Sequence, residues 1–144
     1  MFRFPKLGLI FALFAVLLLA APARATDYQY SSTDEVVDGS SGDTTGTETG
    51  DLGLGAYTGS TSANIGSDGS ITNGMQTITF GDGSTLSITF EGQIYPDGSV
   101  LGTLTWIGGT GALAGASGSG TFVGTTDGMA FYVDVEGTLT LPCA

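Results

Sequence analysis

The sequence predicts an all-β fold: a small antiparallel eight-stranded barrel that follows a signal peptide and a mobile acidic segment. The first observation is that apolar and polar residues alternate from residue 77 onward, which is typical of half-buried strands. The second is that Asp-Gly pairs interrupt these runs at hairpin positions. The third is that no stretch keeps the 3.6-residue period of an amphipathic helix.

The alternation assigns one face of each predicted strand to the interior. Thr and Ser fill most of the opposite positions, joined in the last strand by Asp134 and Glu136. We therefore expect seven or eight strands in an antiparallel meander. The residues predicted to face inward are Ile78, Phe80, Leu86, Ile88, Phe90, Leu104, Trp106, Met129, Phe131, Val133, Val135, Leu139 and Leu141.

Turns and glycines support closure of this sheet into a barrel. Asp-Gly pairs occur at 68–69, 82–83, 97–98 and 127–128, where they predict hairpin turns and no regular repeat. Closure would remove the exposed edges of the sheet. Glycines inside predicted strands fit the bends that closure needs. These are Gly102, Gly118, Gly120 and Gly137.

Residues 1–25 have the three-part organisation of a secretory signal peptide. Arg3 and Lys6 are positive, Leu7 to Ala21 is an uncharged apolar run, and Ala23-Arg24-Ala25 supplies small residues for cleavage. The apolar run has 15 residues, whereas a membrane-spanning helix needs roughly 20. We therefore expect cleavage after Ala25, in preference to an uncleaved anchor, and a secreted or periplasmic protein.

Cleavage would leave a strongly acidic chain. All three basic residues precede Thr26, all fourteen Asp and Glu follow it, and the chain has no His, so the mature side-chain charge is −14. Binding to nucleic acid or to anionic membranes requires basic groups. The sequence therefore excludes nucleic acid as a partner, and we expect no membrane insertion after cleavage. An outer-membrane barrel is a minor alternative, which the predicted strands, mostly shorter than roughly 10 residues, disfavour.

The mature chain divides by composition into two regions. Residues 26–51 are mainly Ser, Thr, Gly and acid, with Val36-Val37 as the one aliphatic pair. Such a segment buries too little apolar surface to offset the entropy of ordering, so we expect it to be mobile. Residues 52–144 are expected to form the barrel.

The segment from Ile107 to Phe122 carries a resemblance to a known group of proteins. A strand leads into Gly-Gly-Thr-Gly, then into a small apolar run with Gly-Ala, and then into Gly-x-Gly and another strand. This pattern resembles the hallmark of the allene oxide cyclase-like barrel superfamily, which includes the plant cyclases, dirigent proteins and many small bacterial exported proteins, and the chain most resembles an exported member of the bacterial type. Asp82 to Gly92 and Glu136 to Leu139 also resemble it, and the likeness covers about Thr77 to Leu141.

The resemblance implies a short eight-stranded barrel whose interior accepts an elongated apolar molecule. The cyclases use an interior carboxylate and a polar water-holding group, and neither is matched to a position here. Parity places Asp134, Glu136 and Glu91 on solvent faces, so we expect no charged residue inside the barrel. The resemblance therefore carries no catalytic residue across.

Other kinds of chemistry find little support. The absence of His excludes Ser-His and Cys-His triads and typical zinc sites. Gly108 to Gly111 lacks the Lys of a phosphate-binding loop and is interpreted as a turn. No calcium-binding loop motif occurs, although the acids of residues 34–51 leave a weak calcium site as an alternative. We expect no metal and no cofactor.

Five aromatic residues on the inward faces are candidates for a ligand-binding interior. They fill the core in one interpretation and wall a pocket for a small apolar ligand in the other, with Trp106 and Phe131 as walls. The five are Phe80, Phe90, Trp106, Phe122 and Phe131.

Two functional hypotheses follow from these observations. The first is a non-enzymatic exported barrel that binds a small apolar ligand or serves a surface or structural role. The alternative is a cyclase or isomerase that shapes an apolar substrate inside the barrel.

Cys143 is the single cysteine of the chain, so no intrachain disulfide can form. An intermolecular disulfide that joins a homodimer through Cys143 is a hypothesis.

Overall fold

The computed structural model describes residues 25–37 and 42–142, which form a closed antiparallel barrel. One turn of 3₁₀ helix, Gly111–Leu113, joins the sixth and seventh strands, and no helix in these ranges is long and apolar enough to cross a membrane. The predicted all-β eight-stranded barrel is confirmed. Its strands are β1 (Thr26–Val37), β2 (Asp43–Glu48), β3 (Gly55–Ile65), β4 (Ser70–Phe80), β5 (Thr85–Ile94), β6 (Ser99–Gly109), β7 (Ser117–Thr126) and β8 (Ala130–Leu141).

The predicted start of the barrel at residue 52 is wrong. β1 and β2 lie within the segment that was expected to be mobile, and residues 38–41 between them lie outside the described residues. β1 closes the barrel by pairing with β8 from Thr26 opposite Leu141 to Val37 opposite Ala130. Hydrophobic alternation does not reveal these strands, because most of their inward positions are polar.

The strands are also longer than the sequence pattern suggests. Seven of the eight described strands have 10 to 12 residues, and β2 has 6. The hydrophobic alternation lapses at inward glycines such as Gly102 and Gly120, yet the strands continue through them. The apolar runs therefore locate the middle of each strand but underestimate its length.

The four Asp-Gly hairpins are confirmed. Each glycine has a positive φ, from 83° at Gly69 to 87° at Gly83, Gly98 and Gly128, which favours glycine over residues with a Cβ. In each turn the Asp carboxylate accepts a hydrogen bond from the backbone N–H two residues later, at 2.8–3.0 Å. These Asx turns explain why Asp precedes the glycine.

The predicted inward faces are confirmed with one exception. The alternating apolar residues of β4, β5, β6 and β8 are buried or half-buried, whereas Met129 is 76% exposed. Met129 belongs to the turn before β8, which begins at Ala130. The inward face of β8 therefore begins at Phe131 and does not include Met129.

One end of the barrel is filled by side chains. Trp106 is 1% exposed, and its ring centroid lies 5.0 Å from that of Tyr30. Leu113 of the 3₁₀ turn is fully buried in the same core cluster. A Cβ at Gly137 would lie 2.7 Å from the Trp106 ring and 2.5 Å from a backbone oxygen of β7, so glycine makes the space that the ring occupies. We call this end the closed end.

Candidate functional site

The end of the barrel away from Trp106 is hollow. A cavity of about 560 Å³ opens between the last residues of β1, β3, β5 and β7 and the first residues of β4, β6 and β8. This volume lies within the range of small-molecule sites, roughly 300–1,000 Å³. We call this end the open end. Its apolar lining includes Val36, Ile71, Ile88, Phe90, Val100, Leu104, Phe122, Phe131, Val133 and Val135.

Glycines on neighbouring strands make room for two of the aromatic walls. A Cβ at Gly102 on β6 would lie 2.2 Å from the ring of Phe122, and a Cβ at Gly74 on β4 would lie 2.5 Å from the ring of Phe90. The two rings meet edge to face, with centroids 5.9 Å apart. Small residues beside large ones thus set the shape of the cavity wall.

Asp34 on β1 places a carboxyl group in this mainly apolar cavity. Its side chain lines the cavity and is 7% exposed. The Ser32 hydroxyl donates to Asp34 Oδ1 at 3.1 Å, and the Tyr57 hydroxyl donates to the same oxygen. Gln76 Nε2 donates to Oδ2 at 3.3 Å. Three neutral donors from β1, β3 and β4 therefore fix the orientation of the carboxyl group.

A glycine allows the contact between Tyr57 and Asp34. Tyr57 lies on β3 and Asp34 on β1, so the phenol must extend across the inward face of β2. Gly46 occupies that position, and a Cβ there would lie 2.3 Å from the Tyr57 hydroxyl oxygen. Any residue with a side chain at position 46 would displace the phenol from the carboxyl group.

The hydrogen-bond network continues beyond Asp34. Gln76 Nε2 also donates to the Thr61 hydroxyl at 3.1 Å, and the hydroxyls of Thr61 and Thr44 lie 2.6 Å apart. Thr44 in turn donates to the backbone oxygen of Gly42 at 3.1 Å. The network joins the first four strands, so the polar group of the cavity is held in place before any ligand binds.

Burial raises the pKa of Asp34 from its ordinary value of 3.8 to about 6. Loss of water around the carboxylate is the main cause, because a buried charge is less stable than a buried neutral acid. Hydrogen bonds from Gln76 and Ser32 act in the opposite direction, and the negative charge of Asp134 on β8 adds to the increase. The group therefore changes charge close to neutral pH.

A second buried carboxyl group, Glu48 on β2, has a structural role at the closed end. It is 2% exposed and accepts hydrogen bonds from the backbone N–H groups of Gly50 at 2.5 Å and Leu54 at 2.7 Å. These contacts hold the loop between β2 and β3. Burial also raises the pKa of the nearby Tyr30 phenol well above its usual range, so Tyr30 stays neutral.

The structure separates the five predicted aromatic site residues. Phe90, Phe122 and Phe131 line the cavity. Phe80 and Trp106 are 3% and 1% exposed in the core of the closed end and do not line it. Of the two walls named from the sequence, Phe131 is at the cavity and Trp106 is not.

The expectation that no charged residue lies inside the barrel is wrong. Asp34 and Glu48 both face inward, on the two strands that lie in the segment expected to be mobile. Asp134, Glu136 and Glu91 are exposed, as parity predicts. The available signal was the alternation of Tyr30, Ser32, Asp34 and Val36, in which an aromatic and an aliphatic residue flank two polar inward positions.

The remaining predictions concern turns, metals and the chain termini. Gly108 to Gly111 ends β6 and enters the 3₁₀ turn, so the turn interpretation is confirmed. Within residues 25–37 and 42–142, no group of three or more His, Cys, Asp or Glu is arranged to hold a metal ion. Residues 1–24 and Cys143 lie outside the described residues.

The barrel has the fold of two solved dirigent proteins. The pterocarpan synthase dirigent protein GePTS1 superposes with a TM-score of 0.53 at 15% identity, over 87% of this chain and 89% of its own. For the pterocarpan synthase dirigent protein PsPTS1 the TM-score is 0.54 at 14% identity, over 85% and 99%. No family model and no curated protein sequence matches the chain. The likeness shows the fold, and it agrees with the barrel type that the glycine-rich motif resembles.

Proposed function

We propose that the open end of the barrel binds one small, mainly apolar molecule that carries a single polar group. The observation that supports this most directly is a cavity of about 560 Å³ with mostly apolar walls and one oriented carboxyl group, that of Asp34. Apolar surface contributes roughly 25 cal/mol per Å² buried. A polar group of the ligand that reaches Asp34 would hydrogen-bond to the carboxyl group and so orient the molecule in the cavity.

Acid–base chemistry on the bound molecule is the second candidate. A catalytic acid or base works best when its pKa lies near the working pH, and the pKa of Asp34 is raised to about 6 by burial. The carboxyl group could then protonate or deprotonate a substrate that the walls hold in a reactive shape. The two proteins of similar fold are described as pterocarpan synthase dirigent proteins. For this chain, the proposal of a ring-forming activity rests on Asp34 alone.

Binding can be tested with a neutral fluorescent probe, N-phenyl-1-naphthylamine, whose emission rises in apolar surroundings. We expect a saturable rise at one probe per barrel. Val133→Trp, at the half-buried lining of the open end, is expected to weaken binding about tenfold or more because the larger ring fills the cavity. Val123→Trp is the matched control, since Val123 is 47% exposed on the outer face of β7.

The control variant should bind the probe as the unmodified protein does. Equal binding by both variants, or no saturable signal from the folded unmodified barrel, would contradict a ligand-binding cavity. A surface or structural role would then be the better hypothesis.

We also propose that the chain is exported and cleaved after Ala25. Three features support this: the basic start, the 15-residue apolar run and Ala23-Arg24-Ala25. N-terminal sequencing of protein recovered from outside the cytoplasm should begin at Thr26, the first residue of β1. A sequence that begins at Met1 would overturn the proposal.

A further inference from the structure

We propose that the ligand of the open end is a small amphiphilic amine, with its ammonium group paired to Asp34 and its apolar part against Phe90, Phe122 and Phe131. This inference rests on the proposed ligand-binding function and specifies the chemical class of the ligand. Three observations support it: the cavity, the buried carboxyl group in it, and the lack of a cationic side chain in the described part of the chain that could balance that group.

Among the residues that the structure describes, no cationic side chain is available to Asp34. Residues 25–142 contain no Lys, Arg or His. A buried carboxylate is stable when a positive charge compensates it, and unpaired buried charges are costly. The barrel provides three neutral hydrogen-bond donors and no counter-charge. A ligand that brings its own positive charge supplies what the barrel lacks.

The titratable groups around Asp34 reinforce this preference. They are Tyr30 on β1, Tyr57 on β3 and Asp134 on β8, with Glu48 on β2 next to Tyr30 on the side of the closed end. These groups are neutral when protonated and negative when deprotonated, and none can carry a positive charge. Any charge that they place near the site therefore attracts a cation and repels an anion. A fatty-acid carboxylate would meet Asp34 with no compensating group, so anionic amphiphiles should be excluded.

The carboxyl group also has room for another donor. Oδ1 accepts hydrogen bonds from Ser32 and Tyr57, whereas Oδ2 accepts the 3.3 Å bond from Gln76. A carboxylate has about four lone-pair sites, so Oδ2 can accept a further N–H from an ammonium group. The aromatic rings that line the cavity add cation–π attraction for a desolvated ammonium group.

The charge state of Asp34 gives the proposal a pH dependence. Burial raises the pKa of Asp34 to about 6, so the carboxylate form dominates at pH 7.5 and the neutral acid at pH 5. A primary alkylamine stays protonated across this range, as the Lys side chain does with a pKa of about 10.4. Amine affinity should therefore increase from pH 5 to pH 7.5, while the affinity of a neutral analogue changes little.

The test compares three probes of one skeleton by calorimetry at pH 7.5: 3-phenylpropylamine, 3-phenylpropanol and 3-phenylpropanoate. We expect the amine to bind about tenfold tighter than the alcohol, because charge-assisted hydrogen bonds are roughly twice as strong as neutral ones. The propanoate should show no measurable binding. Asp34→Asn should reduce amine affinity to that of the alcohol, and Asp134→Asn on the outer face is the control that should keep most of the preference.

The outcomes distinguish this inference from the function on which it rests. If neither the alcohol nor the neutral naphthylamine probe binds, the proposed cavity function fails. If both bind but the amine is no tighter, or Asp34→Asn leaves the amine preference intact, the amine proposal is overturned and the cavity stands. Should Asp34→Asn fail to fold, the unmodified protein decides: an amine affinity that stays flat from pH 5 to pH 7.5 overturns the proposal.

Discussion

Trp106→Ala is expected to lower the free energy of unfolding by about 3–5 kcal/mol, as large-to-small changes in well-packed cores do. The ring is 1% exposed, packs against Tyr30 and occupies space that Gly137 leaves open. Gly137 lies on β8, two strands away from Trp106 on β6, and backbone atoms of β7 lie close to it, so we expect truncation of the ring to leave a cavity. Chemical denaturation followed by far-UV circular dichroism would measure the loss.

Ile107→Ala is the matched control for this change. Ile107 is the next residue of β6, but it faces outward and is 53% exposed, so its truncation should change stability by less than about 0.5 kcal/mol. Trp106 does not line the cavity, so Trp106→Phe, a milder variant, should bind the neutral probe as tightly as the unmodified protein. A small stability loss for Trp106→Ala, or weakened probe binding by Trp106→Phe, would contradict a filled closed end.

The closed end is the part of the fold that the sequence predicts best. Its inward residues, such as Ile78, Leu86, Trp106 and Leu139, are apolar and alternate with Thr and Ser, so hydrophobic period and burial coincide. The Asp-Gly turns can be predicted equally well, because their geometry depends on two local features: a positive φ at the glycine and an Asx hydrogen bond. Neither feature requires knowledge of distant contacts.

The candidate site was missed because its stabilising contacts are distant in sequence. Asp34 is stabilised inside the barrel by Tyr57, 23 residues away, and by Gln76, 42 residues away. Only Tyr30 and Val36 mark the inward positions of β1 locally, since Ser32 and Asp34 between them resemble the residues of a solvated segment. The number of strands was right, but two of them came from the region assigned to a mobile tail.

Asp34→Asn is expected to stabilise the barrel at pH 7–8 and to remove a pH dependence between about pH 4 and pH 6. Burial raises the pKa of Asp34 from 3.8 to about 6, so the folded state holds a proton that the unfolded chain has lost in this window. Stability therefore falls as pH rises through it, by about 3 kcal/mol when complete. Asparagine keeps an oxygen for Ser32 and Tyr57 and carries no charge to bury, and its N–H group can donate to the side-chain oxygen of Gln76 after that amide turns over.

Three carboxylates in the turns affect stability in the opposite direction to Asp34, and they do so at lower pH. Hydrogen bonds lower the pKa values of Asp68, Asp97 and Asp127, the first two through Ser70 and Ser99 and the third through backbone N–H groups. Their contribution to stability is present above pH 4 and is lost on further acidification. Asp97→Asn is thus a control that should leave the slope between pH 4 and pH 6 unchanged. A slope that survives in Asp34→Asn would contradict a buried, ionisable Asp34.

The most direct test that Asp34 faces a ligand-accepting cavity is a carbon-13 NMR titration of its side-chain carboxyl group, assigned with the Asp34→Asn variant. We expect a midpoint near pH 6 in the free protein. Addition of 3-phenylpropanol should shift the Asp34 resonance saturably, while the outward carboxyl group of Asp134 moves much less. A midpoint near the ordinary value of 3.8, with no response of Asp34 to the alcohol, the amine or the naphthylamine probe, would contradict the site.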